Sequence, residues 1–146
     1  MSTYQSRFDV KGRISIPAPF RAVLRAIALD GSATLMLRPS HKHPCIEAWP
    51  PTRFETWAEQ QKQADDPDAD EDDLAIRLFA DTVAAEPDKE GRIVLDNFLV
   101  EHAGLADSET VTVIGLGNRF QLWEPGAAEQ RKKAIRQTPP AREKGK

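Results

Sequence analysis

A short pattern that occurs twice limits what this chain can fold into more than any other feature of its sequence. The segment Asp9-Val10-Lys11-Gly12-Arg13-Ile14-Ser15-Ile16 recurs as Asp88-Lys89-Glu90-Gly91-Arg92-Ile93-Val94-Leu95, with Asp, Gly, Arg and Ile identical in place. Each copy is followed by a helix-like stretch, then a β-rich stretch, then a tryptophan closely followed by proline: Ile46-Glu47-Ala48-Trp49-Pro50 and Phe120-Gln121-Leu122-Trp123-Glu124-Pro125. Two units with one order of parts are therefore expected, and a repeat of this kind needs its neighbour to complete a core.

Local physics gives each part a shape. Asp9 and Arg13 flank three residues ending in Gly12, which suits a three-residue hairpin loop with glycine in the left-handed region. Asp9 can accept backbone N–H bonds from that loop while pairing with Arg13, and Asp88 can do the same with Arg92 around Gly91. The alternation in Arg13-Ile14-Ser15-Ile16 reads as a half-buried strand, and Pro17 and Pro19 suit the first turn of a helix striped by Phe20, Val23, Leu24 and Ile27. In the second copy Asp96 is the expected N-cap and Gly104 the expected stop of a helix carrying Phe98, Leu99 and Ala103. Thr34–Leu37 and Val111–Ile114 are the next expected strands, the latter turning through Gly115-Leu116-Gly117-Asn118. Each unit is thus predicted as β, β, helix, β, β. At about 40 residues, each is near the size at which a lone core is marginal, so the two copies are expected to interleave their hairpins.

The expected organisation is a first repeat at 1–51, a helical and acidic connector at 52–80, a second repeat at 81–124, and a basic C-terminal helix and tail at 125–146. Phe54, Trp57, Leu74, Leu78 and Phe79 are expected to pack the connector helices on the core. Cys45 is the only cysteine, which rules out an internal disulfide and a cysteine zinc cluster and suits a reducing compartment. With no apolar stretch of membrane-spanning length, a cytoplasmic, unexported chain is expected.

A net charge of −3 argues against a nucleic-acid partner until it is divided by segment. Residues 1–64 carry nine Lys/Arg against five Asp/Glu, residues 65–90 two against eleven, and residues 91–146 nine against seven. The negative charge is concentrated around Asp65–Asp73, which reads as a solvated connector. Up to Arg25 the first repeat holds Arg7, Lys11, Arg13, Arg21 and Arg25 with Asp9 as its only acid, a cluster suited to phosphates.

The doubled Asp-x-x-Gly-Arg hairpin, the helix after it, the Trp-Pro ends and the run Gly115-Leu116-Gly117-Asn118-Arg119-Phe120-Gln121-Leu122-Trp123 resemble the MraZ family over nearly the whole chain. The resemblance implies an α+β, mainly β fold of tandem SpoVT-AbrB units with swapped hairpins, forming a pseudo-twofold β-barrel core and a ring-shaped homo-oligomer. It also implies nucleoid association and repression of an operon for cell division and cell wall synthesis, through short direct repeats in promoter DNA. The family's Asp-x-x-x-Arg signature falls on Asp9 and Arg13, and again on Asp88 and Arg92. The acidic stretch 65–73 and the basic tail after Gln130 depart from the family pattern.

The mechanism these residues suggest puts hairpins of the first repeat into a groove of double-stranded DNA, with Arg13 nearest base edges and Arg7, Lys11, Arg21 and Arg25 mainly on phosphates. A ring would present several copies to repeated sites and raise affinity through effective concentration. The alternative for Asp9 and Arg13 is a clamp that only stiffens the loop. Around Arg92 the acids Asp88, Glu90, Asp96 and Glu101 favour a structural or assembly role. The tail from Arg131 to Arg136, with Arg142, Lys144 and Lys146, is either a DNA-contacting arm or a solvated segment.

An enzyme would have to use His41-Lys42-His43-Pro44-Cys45, which has no carboxylate partner at useful spacing and no counterpart in the second repeat; it is read as a surface loop. No cofactor, metal or small-molecule substrate is expected. A further class is an antitoxin-like module that holds another protein with the same fold.

Overall fold

The computed structural model of the chain describes residues 3–28 and 30–138. The first unit comprises β1 (Thr3–Arg7), β2 (Arg13–Ser15), α1 (Ala18–Ile27), β3 (Leu35–Pro39) and β4 (Ile46–Trp49). Two helices follow, α2 (Pro51–Ala64) and α3 (Glu71–Phe79). The second unit repeats the order as β5 (Val83–Ala85), β6 (Arg92–Val94), α4 (Asn97–His102), β7 (Thr110–Gly115) and β8 (Phe120–Trp123), and α5 (Pro125–Gln137) comes last. The fold is mixed α+β, with antiparallel strands and short helices.

The strands pair across the repeat boundary. β1 lies on β7, with Gln5 opposite Thr112, and β5 lies on β3, with Met36 opposite Ala84. β2 pairs with β6 so that Ile14 faces Ile93, and β4 pairs with β8 so that Glu47 faces Gln121. Each of the last two pairs joins matching positions of the two copies, which places a pseudo-twofold axis between them. The expected interleaving takes this form: each glycine loop sends its two strands into different sheets. β1 and β2 therefore do not form the simple hairpin that the sequence suggests. The loop is closed by Asp9 N–H donating to the Arg13 carbonyl at 2.9 Å. Further along, Ser6 Oγ bridges the diverging strands, donating to the Ser15 carbonyl (3.0 Å) and accepting from the Ser15 N–H (3.2 Å).

Because of that divergence the ladders do not close into the expected barrel. Among the described residues they form an open six-stranded sheet, in the order β1-β7-β8-β4-β3-β5, and a separate two-stranded ribbon of β2 and β6. One core serves both copies: Ile14, Phe20, Leu24, Leu35 and Leu37 from the first pack with Ile93, Leu99, Val113, Phe120 and Leu122 from the second. Phe20 of α1 stacks on Phe120 of β8 with ring centroids 4.5 Å apart, and Tyr4 of β1 meets Phe20 edge-on at 4.9 Å. Each large side chain buried this way contributes about 1.5–3 kcal/mol.

Some local expectations change. Phe20 and Leu24 are buried, but Val23 and Phe98 are about two-fifths exposed, because α1 and α4 each bury only a narrow stripe. Asp96 stands at the N-cap of α4 without a side-chain capping bond, whereas Asp70 caps α3 by accepting from the Asp72 N–H. Glu71, Asp72 and Asp73 occupy the first turn of α3, where the helix dipole favours anions. Proline starts both α2 and α5 directly after the two tryptophan strands. Phe54 and Leu78 are buried, Trp57 and Leu74 half-buried, and Phe79 41% exposed, so the connector aromatics gather around Trp49 rather than all entering the core. No helix of the described residues is long and apolar enough to cross a membrane.

Candidate nucleic-acid interface

The two glycine loops have the same internal wiring. Asp9 Oδ1 accepts from the backbone N–H groups of Lys11 and Arg13, each at 2.9 Å, while Oδ2 accepts from Arg13 Nε at 2.8 Å. Asp88 repeats this with Glu90, Arg92 and Arg92 Nε at 2.9, 2.9 and 3.0 Å. Gly12 and Gly91 take φ of +76° and +80°, the left-handed region in which a side chain is strained. Both carboxyls are held below the ordinary 3.8, first by the backbone N–H of the loop arginine (Arg13 for Asp9, Arg92 for Asp88), against some desolvation.

Pairing of β2 with β6 brings the loops together, so each arginine also reaches the opposite aspartate. Arg13 Nη1 lies 3.5 Å from Asp88 Oδ2, and Arg92 Nη1 lies 3.8 Å from Asp9 Oδ2. The four side chains make a reciprocal quartet of zero net charge, about a quarter to a third exposed. Arg13 is thus bound within the protein through Nε and Nη1, while Nη2 takes no protein acceptor among the described residues. The local motif predicted each clamp; nothing in it indicated that the two clamps would cross.

Around this shared centre the loops differ. In the second, Glu90 stands where the first has Lys11 and pairs with Arg92 Nη2. Gly91 is covered by the guanidinium of Arg21 from α1, whereas Gly12 has open space around it. Arg21, expected on phosphates, is therefore spread over the other repeat's loop. Its Nε is buried without an acceptor. At the first loop Val10 stands fully out in solvent and Lys11 is exposed beside it. Arg7 is exposed at the end of β1, 3.7 Å from the equally exposed Glu109, and Arg25 is exposed in the last turn of α1, where a cation suits the dipole. On α5, Arg131, Lys133 and Arg136 are exposed; the continuation with Arg142, Lys144 and Lys146 lies outside the described residues.

The segment His41–Cys45 is not wholly a surface loop. His41 and Lys42 are exposed, but Cys45 is buried against Trp123 and Ala128, and His43 lies over Trp123 at 5.9 Å. Burial pushes the Cys45 thiol up to about 12, so at neutral pH it is not a thiolate nucleophile. Sequence reasoning also missed a charged row beside this loop. Arg38 of β3, only 4% exposed, donates from Nη1 to Glu47 Oε1 at 2.9 Å and from Nη2 to the Arg77 carbonyl, while Trp49 Nε1 donates to the same Glu47 oxygen at 3.2 Å. Arg38 lies over the Trp57 ring and Arg119 over the Trp49 ring, at 5.0 and 4.9 Å. The one available signal was a charged residue in each of two adjacent, otherwise apolar strands.

Comparison with known proteins finds one family along nearly the whole chain. A family model described as "MraZ protein, putative antitoxin-like" matches residues 1–76 and 78–142. The transcriptional regulator MraZ of Gluconacetobacter diazotrophicus is 48% identical over 136 residues, covering 93% of this chain and 85% of the relative. That of Gluconobacter oxydans is 47% identical over 136 residues, covering 93% and 82%. That of Azorhizobium caulinodans is 38% identical over 135 residues, covering 86% and 76%. With its paired Asp-Gly-Arg loops and matches of this extent, the chain belongs to the MraZ family.

Proposed function

We propose that this chain is a cytoplasmic, nucleoid-associated transcription regulator that binds promoter repeats as a homo-oligomer, using the loop of its first repeat. The observation that carries this reading is the difference between two loops of identical wiring. The first is open at Gly12 and ends in an exposed Lys11, whereas in the second Glu90 occupies the corresponding position and Arg21 covers Gly91. Such a contrast is expected if one copy has kept a phosphate-facing tip and the other a supporting role. In this reading Lys11, Arg7 and Arg25 meet the DNA backbone, Arg13 offers Nη2 to a base edge while the quartet fixes its direction, and Arg21 supports the second loop. Asp9, Gly12, Asp88, Gly91 and Arg92 set the loop geometry. The names of the relatives support regulation of transcription, and the family resemblance suggests repression of an operon for cell division and wall synthesis by a ring of copies.

A titration of the full chain against its own upstream DNA across salt concentrations tests the reading. Lys11→Ala is expected to weaken binding about equally on all sequences and to lower the salt slope by about one. A protein indifferent to that DNA, or a Lys11→Ala variant as tight as the parent, contradicts it. The antitoxin-like wording of the family description and the exposed acids from Asp66 to Asp73 favour a second reading, a module that holds a cationic protein. Indifference to DNA together with tight binding of a small basic protein encoded beside it would select that reading.

A further inference from the structure

The row Arg38, Glu47 and Gln121, one residue from each of three adjacent strands, forms part of the wall of a cavity of about 380 Å³ that α2 and α3 also line. That volume is within the range of small-molecule sites. Its wall carries Arg38, Lys42, Arg77 and Arg119 against the single carboxylate of Glu47. Glu47 is already engaged, since its Oε1 accepts from both Arg38 and Trp49. Among the described residues none of Lys42, Arg77 and Arg119 pairs with a carboxylate. Stacking on Trp57 and Trp49 holds the two guanidinium planes of Arg38 and Arg119 in place, and the Nε of each lacks an acceptor. The fold does not require these charges. Glu47 and Gln121 are matching positions, yet Arg38 faces Glu47 in β3 whereas Ile114 faces Gln121 in β7. A local excess of positive charge is also felt by His43, whose pKa is lowered first by burial and then by Arg131 and Lys42.

Three cations left over beside a satisfied ion pair call for more negative charge than one carboxylate supplies, and guanidinium forks match phosphate oxygens. The remaining wall is mixed: Trp57, Leu74 and Leu78 give it an apolar side, and polar groups such as Ser40 and Gln61 complete it. A recess of this size admits a small molecule but not a DNA duplex. We propose that this cavity is a binding site for a small soluble phosphate ester, its phosphate held by Lys42, Arg77 and Arg119 and its organic part laid against Trp57, Leu74 and Leu78. The site is built from elements other than the glycine loops and stands whether or not those loops meet DNA.

The test follows the indole N–H resonance of Trp57 in the isotope-labelled full chain during titration with inorganic phosphate, adenosine monophosphate and, as the neutral control, adenosine. The expected result is a saturable shift with both phosphates and none with adenosine. The double variant Lys42→Gln/Arg77→Gln should weaken that binding by about tenfold or more, while Arg136→Gln on α5 leaves it unchanged. Both substituted side chains are exposed and the Arg38–Glu47 pair is untouched; Lys42→Gln alone should give a smaller loss in the same direction. No saturable shift, equal binding of phosphate by the double variant, or a double variant that loses only promoter DNA would each overturn the proposal, the last by assigning these cations to the DNA backbone.

Discussion

Arg21 lies across Gly91, its guanidinium filling the space a Cβ would take, while the matching Gly12 faces open space. Alanine at either position is strained by the positive φ, at about 1–2 kcal/mol. Gly91→Ala must in addition displace Arg21. It is therefore expected to destabilise the chain slightly more than Gly12→Ala does, since only the far end of a flexible side chain has to move, and Arg21→Ala should abolish the excess. Thermal denaturation of the four variants in a double-mutant cycle measures this; additive losses would contradict the contact.

Glu90 neutralises the second loop where Lys11 leaves the first one positive. If the loops act as proposed, Glu90→Gln releases Nη2 of Arg92, removes one negative charge and should tighten DNA binding modestly, with a steeper salt dependence. Fluorescence anisotropy with labelled promoter DNA at two salt concentrations reads both quantities. A weaker complex would point instead to Glu90 holding the loop pair in shape.

Acid should undo the quartet. Folding holds Asp9 and Asp88 ionised below their ordinary 3.8, so their contribution is complete above that pH and is lost as the pH falls through the lowered, folded-state values. Urea unfolding between about pH 6 and pH 3 should show stability falling below about pH 4. Asp9→Asn/Asp88→Asn should flatten that fall while lowering stability at neutral pH.

Arg38 and Glu47 form a pair with side chains only 5% and 12% exposed. Removing Glu47 alone leaves a buried guanidinium uncompensated, so Glu47→Ala is expected to cost about 3–5 kcal/mol. Arg38→Met/Glu47→Leu removes both charges and keeps volume, and should cost less than either single loss. Equal costs in chemical denaturation would mean that packing, not charge, governs the row.

Cys45 should resist thiol reagents in the native protein at neutral pH, because burial raises its pKa to about 12. Reaction at the unfolding rate, and full reaction in denaturant, are the expected readouts.

The parts of the fold that local rules govern were legible. A glycine three residues after an aspartate, with arginine next, specifies the loop and its carboxylate wiring, and alternation specifies the strands around it. Pairing partners were not legible to the same degree: Ile14 has the same pattern whether its strand lies beside β1 or beside β6, and only the shared core decides. Val23 lies on the apolar side of its helix in sequence, yet it stays 38% exposed. Nothing local marks Arg38 and Glu47 as a buried pair, because charge in a short strand normally faces water, and the contacts that enclose them come from Trp57 of α2 and Arg77 of α3. For the candidate interface the sequence paired Arg13 with Asp9 inside its own loop, whereas its neighbours across the quartet come from a segment far along the chain.

Because β1 leans on β7 and β5 leans on β3, neither half owns the sheet it helps to make. The exposed turn between α2 and α3 is then the only covalent thread between two partners that resemble the subunits of an exchanged dimer. That thread keeps the second half at a fixed, high effective concentration beside the first, so dilution cannot separate them. A chain severed there should survive as two fragments whose association now depends on concentration, whereas either fragment made alone should fail to fold.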